Sequence, residues 1–394
     1  MSRIGMLDLR REYEHMRADI DAALRKCLDH QHWILGPEVK AFEETVARYL
    51  GVKHCIGASS GTEALVLALR AEAIRRTGRE YFGREDLVIT TPFTFTATGD
   101  AILRSGATPV FVDIDESTCN MDVREVSACI AGHGRKVVGI IPVHLYGQTV
   151  DMSAIMEIAG KNRCFVVEDV AQAFGASWRG SKAGSLGTAG AFSFFPSKNL
   201  GGFGDGGMVA SNDDDINELV RMLLKHGGRD KYNADHIGYN ARLDTLQAGV
   251  LLAKFRYLDE FNERRRRIAA GYDDELKDLD GRFLSLPRVN AGAFHVYHQF
   301  TIRTSRRDAL KAHLAEQGVD TMVYYPYLLS SMKVFQGRME SWGDLARARS
   351  VSQEVLSLPI EPLQDLEDTM RVVHAIRDFY RTEMAEEAAA RSVA

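Results

Sequence analysis

The sequence is poor in cysteine, proline and tryptophan, with 5, 9 and 3 residues among 394. Cys27, Cys55, Cys119, Cys129 and Cys164 are odd in number, widely scattered and without a Cys-x-x-Cys pair. That argues against a disulfide framework and against a zinc cluster, and predicts reduced, mostly structural thiols. Sparse proline beside 34 Gly, 45% apolar and 26% charged residues is the balance of a folded enzyme or binding protein, not of a disordered or fibrous chain. A surplus of one charge is also missing. Forty-nine Lys+Arg against 54 Asp+Glu leaves −5, so no positive field exists to hold a nucleic acid or an anionic membrane. No run reaches the ~18 apolar residues of a membrane span, and the N-terminus alternates acids with bases instead of leading into an apolar core. A cytoplasmic protein is expected. No internal repeat and no zinc-protease His-x-x-x-His pair is found, so no metal is expected.

What is present is an alternation. Short branched runs at 54–58, 87–90, 109–112, 137–142 and 164–167 read as buried strands, and the segments 61–77, 96–105 and 152–161 between them read as helices. This predicts an α/β fold with a mostly parallel sheet. The charged, periodic stretch 244–276 reads as one connecting helix, with its Arg264 to Arg267 run on a solvated or subunit-facing side. Beyond it, 297–303 reads as a strand, 306–317 as a helix and 363–386 as a final long helix or pair, with a frayed end over 388–394. The expected division is a large α/β domain with an N-terminal helical arm over 1–250 and a smaller α+β domain over 251–394.

Ser59-Ser60-Gly61-Thr62 stands between a strand and a helix. Small residues there leave backbone N–H groups open to a phosphate, although a plain capping turn reads the same way. Val166-Val167-Glu168-Asp169 puts two carboxylates at the carboxyl end of a strand, where ligand crevices of parallel sheets open. Asp169 is taken as functional and Glu168 as structural, with Gln172 facing the same way as Asp169 if a helix begins there. Phe192 to Asn199 sets a lone Lys198 after a strand and a proline. An exposed lysine is the ordinary alternative, but a desolvated one attacks a carbonyl as the neutral amine and holds it as a Schiff base. Gly202, Gly204 and Gly207 match Gly-x-Gly-x-x-Gly literally, yet a strand and not a helix follows, so the match is discounted in favour of close backbone passage by a ligand. Phe95 offers a ring at a crevice position, and 238–244 gathers hydrogen-bonding groups in a loop. His295 and His298 are read as lining a strand or pocket.

Taken together, these segments resemble the sugar aminotransferases of the DegT/DnrJ/EryC1/StrS family, pyridoxal-phosphate enzymes of the type I, aspartate-aminotransferase fold. The landmarks are Leu35-Gly36-Pro37-Glu38-Val39, Ser60 to Leu65, Glu168-Asp169-Val170-Ala171-Gln172-Ala173-Phe174-Gly175, Ser193 to Lys198, Gly238 to Arg242 and Leu356-Ser357-Leu358-Pro359. The resemblance implies that Lys198 bonds the cofactor and shuttles protons, and that Asp169 partners the pyridine nitrogen. It implies that Gln172 contacts the ring hydroxyl, that Phe95 stacks on the ring, and that Gly61, Thr62 and Ser193 hold the phosphate. Asn240 would reach the phosphate from the neighbouring subunit, so the site needs a homodimer. The implied reaction moves an amine from L-glutamate to a nucleotide-linked keto-sugar, and lysine at 198 argues against the family's dehydratase branch, which carries histidine there.

One departure lies at Tyr324-Tyr325-Pro326-Tyr327-Leu328-Leu329-Ser330, where many relatives read Tyr-Pro-x-Pro-Leu-His. Tyr324 and Tyr325, with Arg242, are the residues expected to meet the sugar, and Arg242-Leu243-Asp244 looks more like branches acting on 3-keto than on 4-keto sugars. The alternatives are an aminotransferase for an inosose-like carbocycle, a nicotinamide-dependent oxidoreductase resting on the discounted glycine match, and a cofactor-binding regulator without turnover.

Overall fold

The structure, a computed structural model, describes residues 3–230 and 232–393, with side chains as far as Arg381 in the last helix. The frayed end expected over 388–394 lies outside the described side chains. The strands are β1 His54–Ala58, β2 Leu87–Thr90, β3 Thr108–Phe111, β4 Val137–Ile140, β5 Phe165–Asp169, β6 Ser177–Trp178, β7 Ser181–Lys182, β8 Ala189–Ser193, β9 Gly207–Ser211, β10 Ala293–Phe294, β11 Phe300–Arg303, β12 Glu340–Ser341 and β13 Val355–Leu358. Eight of them form one sheet in the order β1-β9-β8-β5-β4-β2-β3-β12. Its pairs are parallel except those of β9, which runs antiparallel to both β1 and β8. Residues of β2 and β5 are buried throughout, as expected of strands covered on both faces.

The helix Gly61–Thr77 is buried from Ala64 to Ala73. It is apolar nearly all round because it lies between β8 and β9 on one side and the helices Thr96–Arg104 and Asp214–Leu223 on the other. Its one buried cation, Arg70, donates to the Glu80 carbonyl and carboxylate, the Tyr239 hydroxyl and the Ile237 carbonyl, at 2.6–3.0 Å. Arg70 thus ties down the loop that leads to Asn240.

The stretch read as one helix over 244–276 is two, Thr245–Phe255 and Leu258–Leu276, broken at Arg256 and Tyr257. The break lets each half serve a different core. The first packs on the helices Leu9–His30 and Pro37–Leu50, the second on Leu366–Val393. Arg256 and Tyr257 both reach Asp19, at 2.9 and 2.6 Å, which pins the corner. The strand expected from 297 begins only at Phe300, because Tyr297 takes φ 46° and turns its N–H onto His295 Nδ1.

A second core gathers Tyr272, Phe300, Ile302, Leu310, Leu356 and Ile376 around the antiparallel pair β11–β13. The segment between β11 and β13 returns to the large sheet, where β12 pairs with β3 and Phe335 packs edge-on against Phe111. All five cysteines are buried free thiols, and no described helix is long and apolar enough to cross a membrane.

Candidate active site

Four strands of the large sheet, β1, β2, β5 and β8, end at the same edge, and each hands the chain to a residue singled out in the sequence. β1 leads to Gly61 and Thr62, β2 to Phe95, β5 ends at Asp169 and β8 ends at Ser193 with Lys198 in the following turn. This is the carboxyl edge at which parallel sheets bind ligands.

At the first position Ser60 caps the helix Gly61–Thr77, its Oγ accepting from Glu63 N–H at 3.1 Å. The N–H groups of Gly61 and Thr62 have no acceptor among the described residues, so the positive end of the helix stays open. Glycine is needed at 61: a Cβ there would stand 2.6 Å from Ser193 Cβ. The helix start therefore abuts the end of β8, with Ser193 Oγ beside it. At Gly207 a Cβ would meet the Ser60 carbonyl oxygen at 2.3 Å. The glycines of 201–207, expected to admit a ligand, instead admit protein: Gly202 leaves room for Gln247, whose Oε1 accepts from Phe203 N–H.

Asp169 is buried at the end of β5, and burial pushes its carboxyl upward. Opposing this, Thr98 donates to Oδ2 at 2.8 Å, Ala171 N–H donates to Oδ1 at 3.1 Å, and the charge of Lys198 favours the anion. Lys198 lies in the turn whose N–H bonds back to the Phe195 carbonyl. Loss of water pushes its ammonium down to about 8, with the carboxylate of Asp169 acting the other way. The two groups are thus within electrostatic reach of each other, and the lysine is biased toward its nucleophilic form.

Glu168, one residue earlier, points into the protein. Its oxygens accept from His144 Nε2 and from the N–H groups of Gly184, Leu186 and Gly187, all at 2.7–2.9 Å. His144 Nδ1 accepts from Val150 N–H, so Nε2 carries the proton.

Gln172 is buried, with its orientation fixed from both ends. Its Oε1 accepts from Tyr146 N–H at 2.7 Å and its Nε2 donates to the Tyr325 hydroxyl at 2.6 Å. Tyr325 has φ 64°, an uncommon value for a bulky residue, and its ring meets Phe93 edge-on and stacks with Tyr146. Tyr324 packs beside it. Phe95 stands at the start of the helix Thr96–Arg104 with 59% of its surface exposed, a large ring left mostly uncovered.

Asn240 is exposed, and its Oδ1 accepts from Arg242 Nη2 at 2.5 Å. Arg242 bridges Ala58 and leaves its buried Nε without a partner. The loop therefore runs beside the end of β1, next to the Gly61 seat. Thr98 and Tyr146 were not singled out in the sequence. Thr98 had one available signal, a place one helical turn after Phe95 on the helix facing Asp169.

A phosphorylated pyridine aldehyde asks for an open helix N-terminus, a buried carboxylate for its ring nitrogen, an uncovered aromatic face and a lysine of lowered pKa. The donor set at this edge offers each of these.

The DegT/DnrJ/EryC1/StrS aminotransferase family matches residues 14–377. A pleiotropic regulatory protein of Geobacillus stearothermophilus is 44% identical over 96% of this chain and 99% of its own. A UDP-N-acetyl-3-dehydro-alpha-D-glucosamine 3-aminotransferase of Acidithiobacillus ferrooxidans is 43% identical over 95% and 97%. Among solved structures, S. venezuelae DesV in complex with a ketimine intermediate superposes with a TM-score of 0.90 at 40% identity, covering 96% of this chain and 99% of that one. The chain belongs to the DegT/DnrJ/EryC1/StrS aminotransferase family, and with it to the pyridoxal-phosphate-dependent transaminases.

Proposed function

We propose that the protein transfers an amino group from L-glutamate to a nucleotide-linked 3-keto sugar, for the synthesis of amino sugars in the cytoplasm. The observation that carries the reading is the electrostatic coupling of Lys198, lowered to about 8, with the buried carboxylate of Asp169. The sugar class is supported by relatives named for 3-amino or 3-oxo sugars on UDP or dTDP, at 43%, 40% and 37% identity. Those relatives differ in nucleotide, so the reading commits to the ketone position and not to the base.

Pyridoxal phosphate, when bound, supplies an aldehyde carbon that carries the amine and a ring that stores a carbanion's electrons. The chain's own residues do the rest. Gly61 and Thr62 bind the phosphate through the open helix end, joined by Ser193 Oγ. Asp169, where the hydrogen bonds from Thr98 and Ala171 N–H favour the carboxylate against its burial, would hold the proton on the ring nitrogen. Gln172, clamped between Tyr146 and Tyr325, holds the ring hydroxyl, and Phe95 covers one face of the ring and excludes water. Lys198, biased toward its neutral amine, would hold the cofactor through its aldehyde, and its Nζ is the group that would take a proton from the donor's Cα and return one to the acceptor's carbon.

Asn240 reaches the phosphate of a neighbouring subunit, which makes the working unit a homodimer. Arg242, with its unpartnered Nε, and the pair Tyr324 and Tyr325 would meet the acceptor. An inosose-like carbocycle is the second reading, because the resemblance implies the same catalytic landmarks for enzymes acting on such rings, and Ser330 stands where many relatives carry histidine.

The test is a panel. Protein loaded with pyridoxamine phosphate is offered nucleotide-linked 3-keto and 4-keto sugars and an inosose, and recovery of the aldehyde absorbance is recorded. Recovery with a 3-keto sugar supports the proposal; recovery with the inosose alone would replace it.

A further inference from the structure

A chain of hydrogen bonds runs from the backbone to the neighbourhood of Lys198 and uses none of the residues assigned above. Asn262, on the helix Leu258–Leu276, donates from Nδ2 to the Phe174 carbonyl at 3.0 Å. A carbonyl oxygen only accepts, so this bond decides which end of the amide is which and leaves Asn262 Oδ1 as an acceptor. Asn199 Nδ2 donates to that oxygen at 2.6 Å, and Asn199 Oδ1 faces His298 Nδ1 at 2.9 Å. The order of donors then runs one way only. His298 carries its proton on Nδ1, and Nε2 is left with a bare lone pair.

That nitrogen has no partner among the described residues. The ring is 5% exposed, and the charges of Lys198 and Arg265 reinforce burial in pushing its pKa well below the ordinary value. The ring therefore stays neutral. The first link is also built for closeness: a Cβ on Gly175 would stand 2.4 Å from Asn262 Nδ2, so glycine there lets the amide reach the Phe174 carbonyl. The last link starts from Asn199, the residue directly after the lysine.

We propose that His298 is a positioning residue for Lys198, locked by this relay in the Nδ1–H tautomer so that its Nε2 lone pair receives the lysine's ammonium between the two proton transfers. The inference rests on Lys198 being the proton carrier of the proposed function. It requires no covalent change at the ring, only a hydrogen bond to a cation that forms and is lost in each half-reaction.

The direct experiment is 15N NMR of histidine-labelled protein loaded with pyridoxal phosphate, which reads the tautomer without reference to turnover. The expected result is a ring protonated at Nδ1 and bare at Nε2. Two variants accompany it. His298→Gln keeps a donor for Asn199 and an acceptor for the lysine, and retains most of the wild-type rate. His298→Leu keeps neither, slows amine transfer about tenfold or more, and raises the primary isotope effect measured with glutamate deuterated at Cα. A ring protonated at Nε2, or a His298→Leu protein with unchanged rate and isotope effect, overturns the inference while the proposed function stands. Failure of the wild-type protein to bond the cofactor at Lys198 removes the proposed function and this inference with it.

Discussion

Thr98 donates its hydroxyl proton to Asp169 Oδ2 over 2.8 Å, across 71 residues of sequence. The bond is buried, and it opposes the desolvation that pushes the carboxyl's pKa upward. A hydrogen bond to a charged group contributes roughly 1.5–3 kcal/mol. Thr98→Val keeps the shape and removes the donor. The variant is expected to hold pyridoxal phosphate roughly tenfold or more weakly, measured by equilibrium dialysis; unchanged affinity would show that Asp169 needs no such support.

Lys198 yields a pH dependence with a definite sign. Its ammonium is lowered by loss of water from the ordinary 10.5 to about 8, so the neutral, nucleophilic amine accumulates as pH rises toward that value. The rate at which cofactor-free protein captures pyridoxal phosphate is expected to rise with pH and level off a little above 8. A rate that keeps climbing toward the ordinary lysine range would place the amine in water.

Glu168 bears on stability and not on chemistry. Its four donors are the His144 ring and three backbone N–H groups. Glu168→Ala strands all of them in a buried site, at a cost on the order of 3–5 kcal/mol. Urea unfolding measures the loss, which is expected to exceed that of Thr98→Val.

The two-subunit reading predicts complementation. Lys198→Ala and Asn240→Ala homodimers are each expected to be impaired. Mixed after gentle dissociation, they regain activity, because one site of the heterodimer receives an intact lysine and an intact asparagine. No recovery on mixing would confine Asn240 to its own subunit, where it already contacts Arg242.

How much of this was legible in the sequence depended on distance along the chain. The helix Gly61–Thr77 and the strands β1 and β2 could be read to the residue, since their apolar periods and caps are local. Glu168 and Asp169 could be placed together at the carboxyl end of a strand, where alternation turns neighbours to opposite faces. Which of them faces inward is set by His144 and the N–H groups of Gly184, Leu186 and Gly187, distant in sequence. Thr98 carried only the signal of its place one turn after Phe95, and Tyr146 and the relay to His298 carried none, because each acts on a partner brought near only by the sheet or by the return of the C-terminal segments. The break at Arg256 and Tyr257 was hidden for a related reason. The charged period continues through it, and only the change of packing partner forces the corner. The glycines of 201–207 signalled close approach correctly but not its object, Gln247 and the Ser60 carbonyl in place of a ligand.

The account's central claim is a bond between Lys198 and the cofactor's aldehyde. It is tested most directly by reducing the loaded protein with borohydride, digesting it and locating the added phosphopyridoxyl mass by mass spectrometry. The predicted result is one modified peptide carrying the group on Lys198, and none in Lys198→Ala; a stable adduct on a different lysine, or no adduct in the wild type, would contradict it.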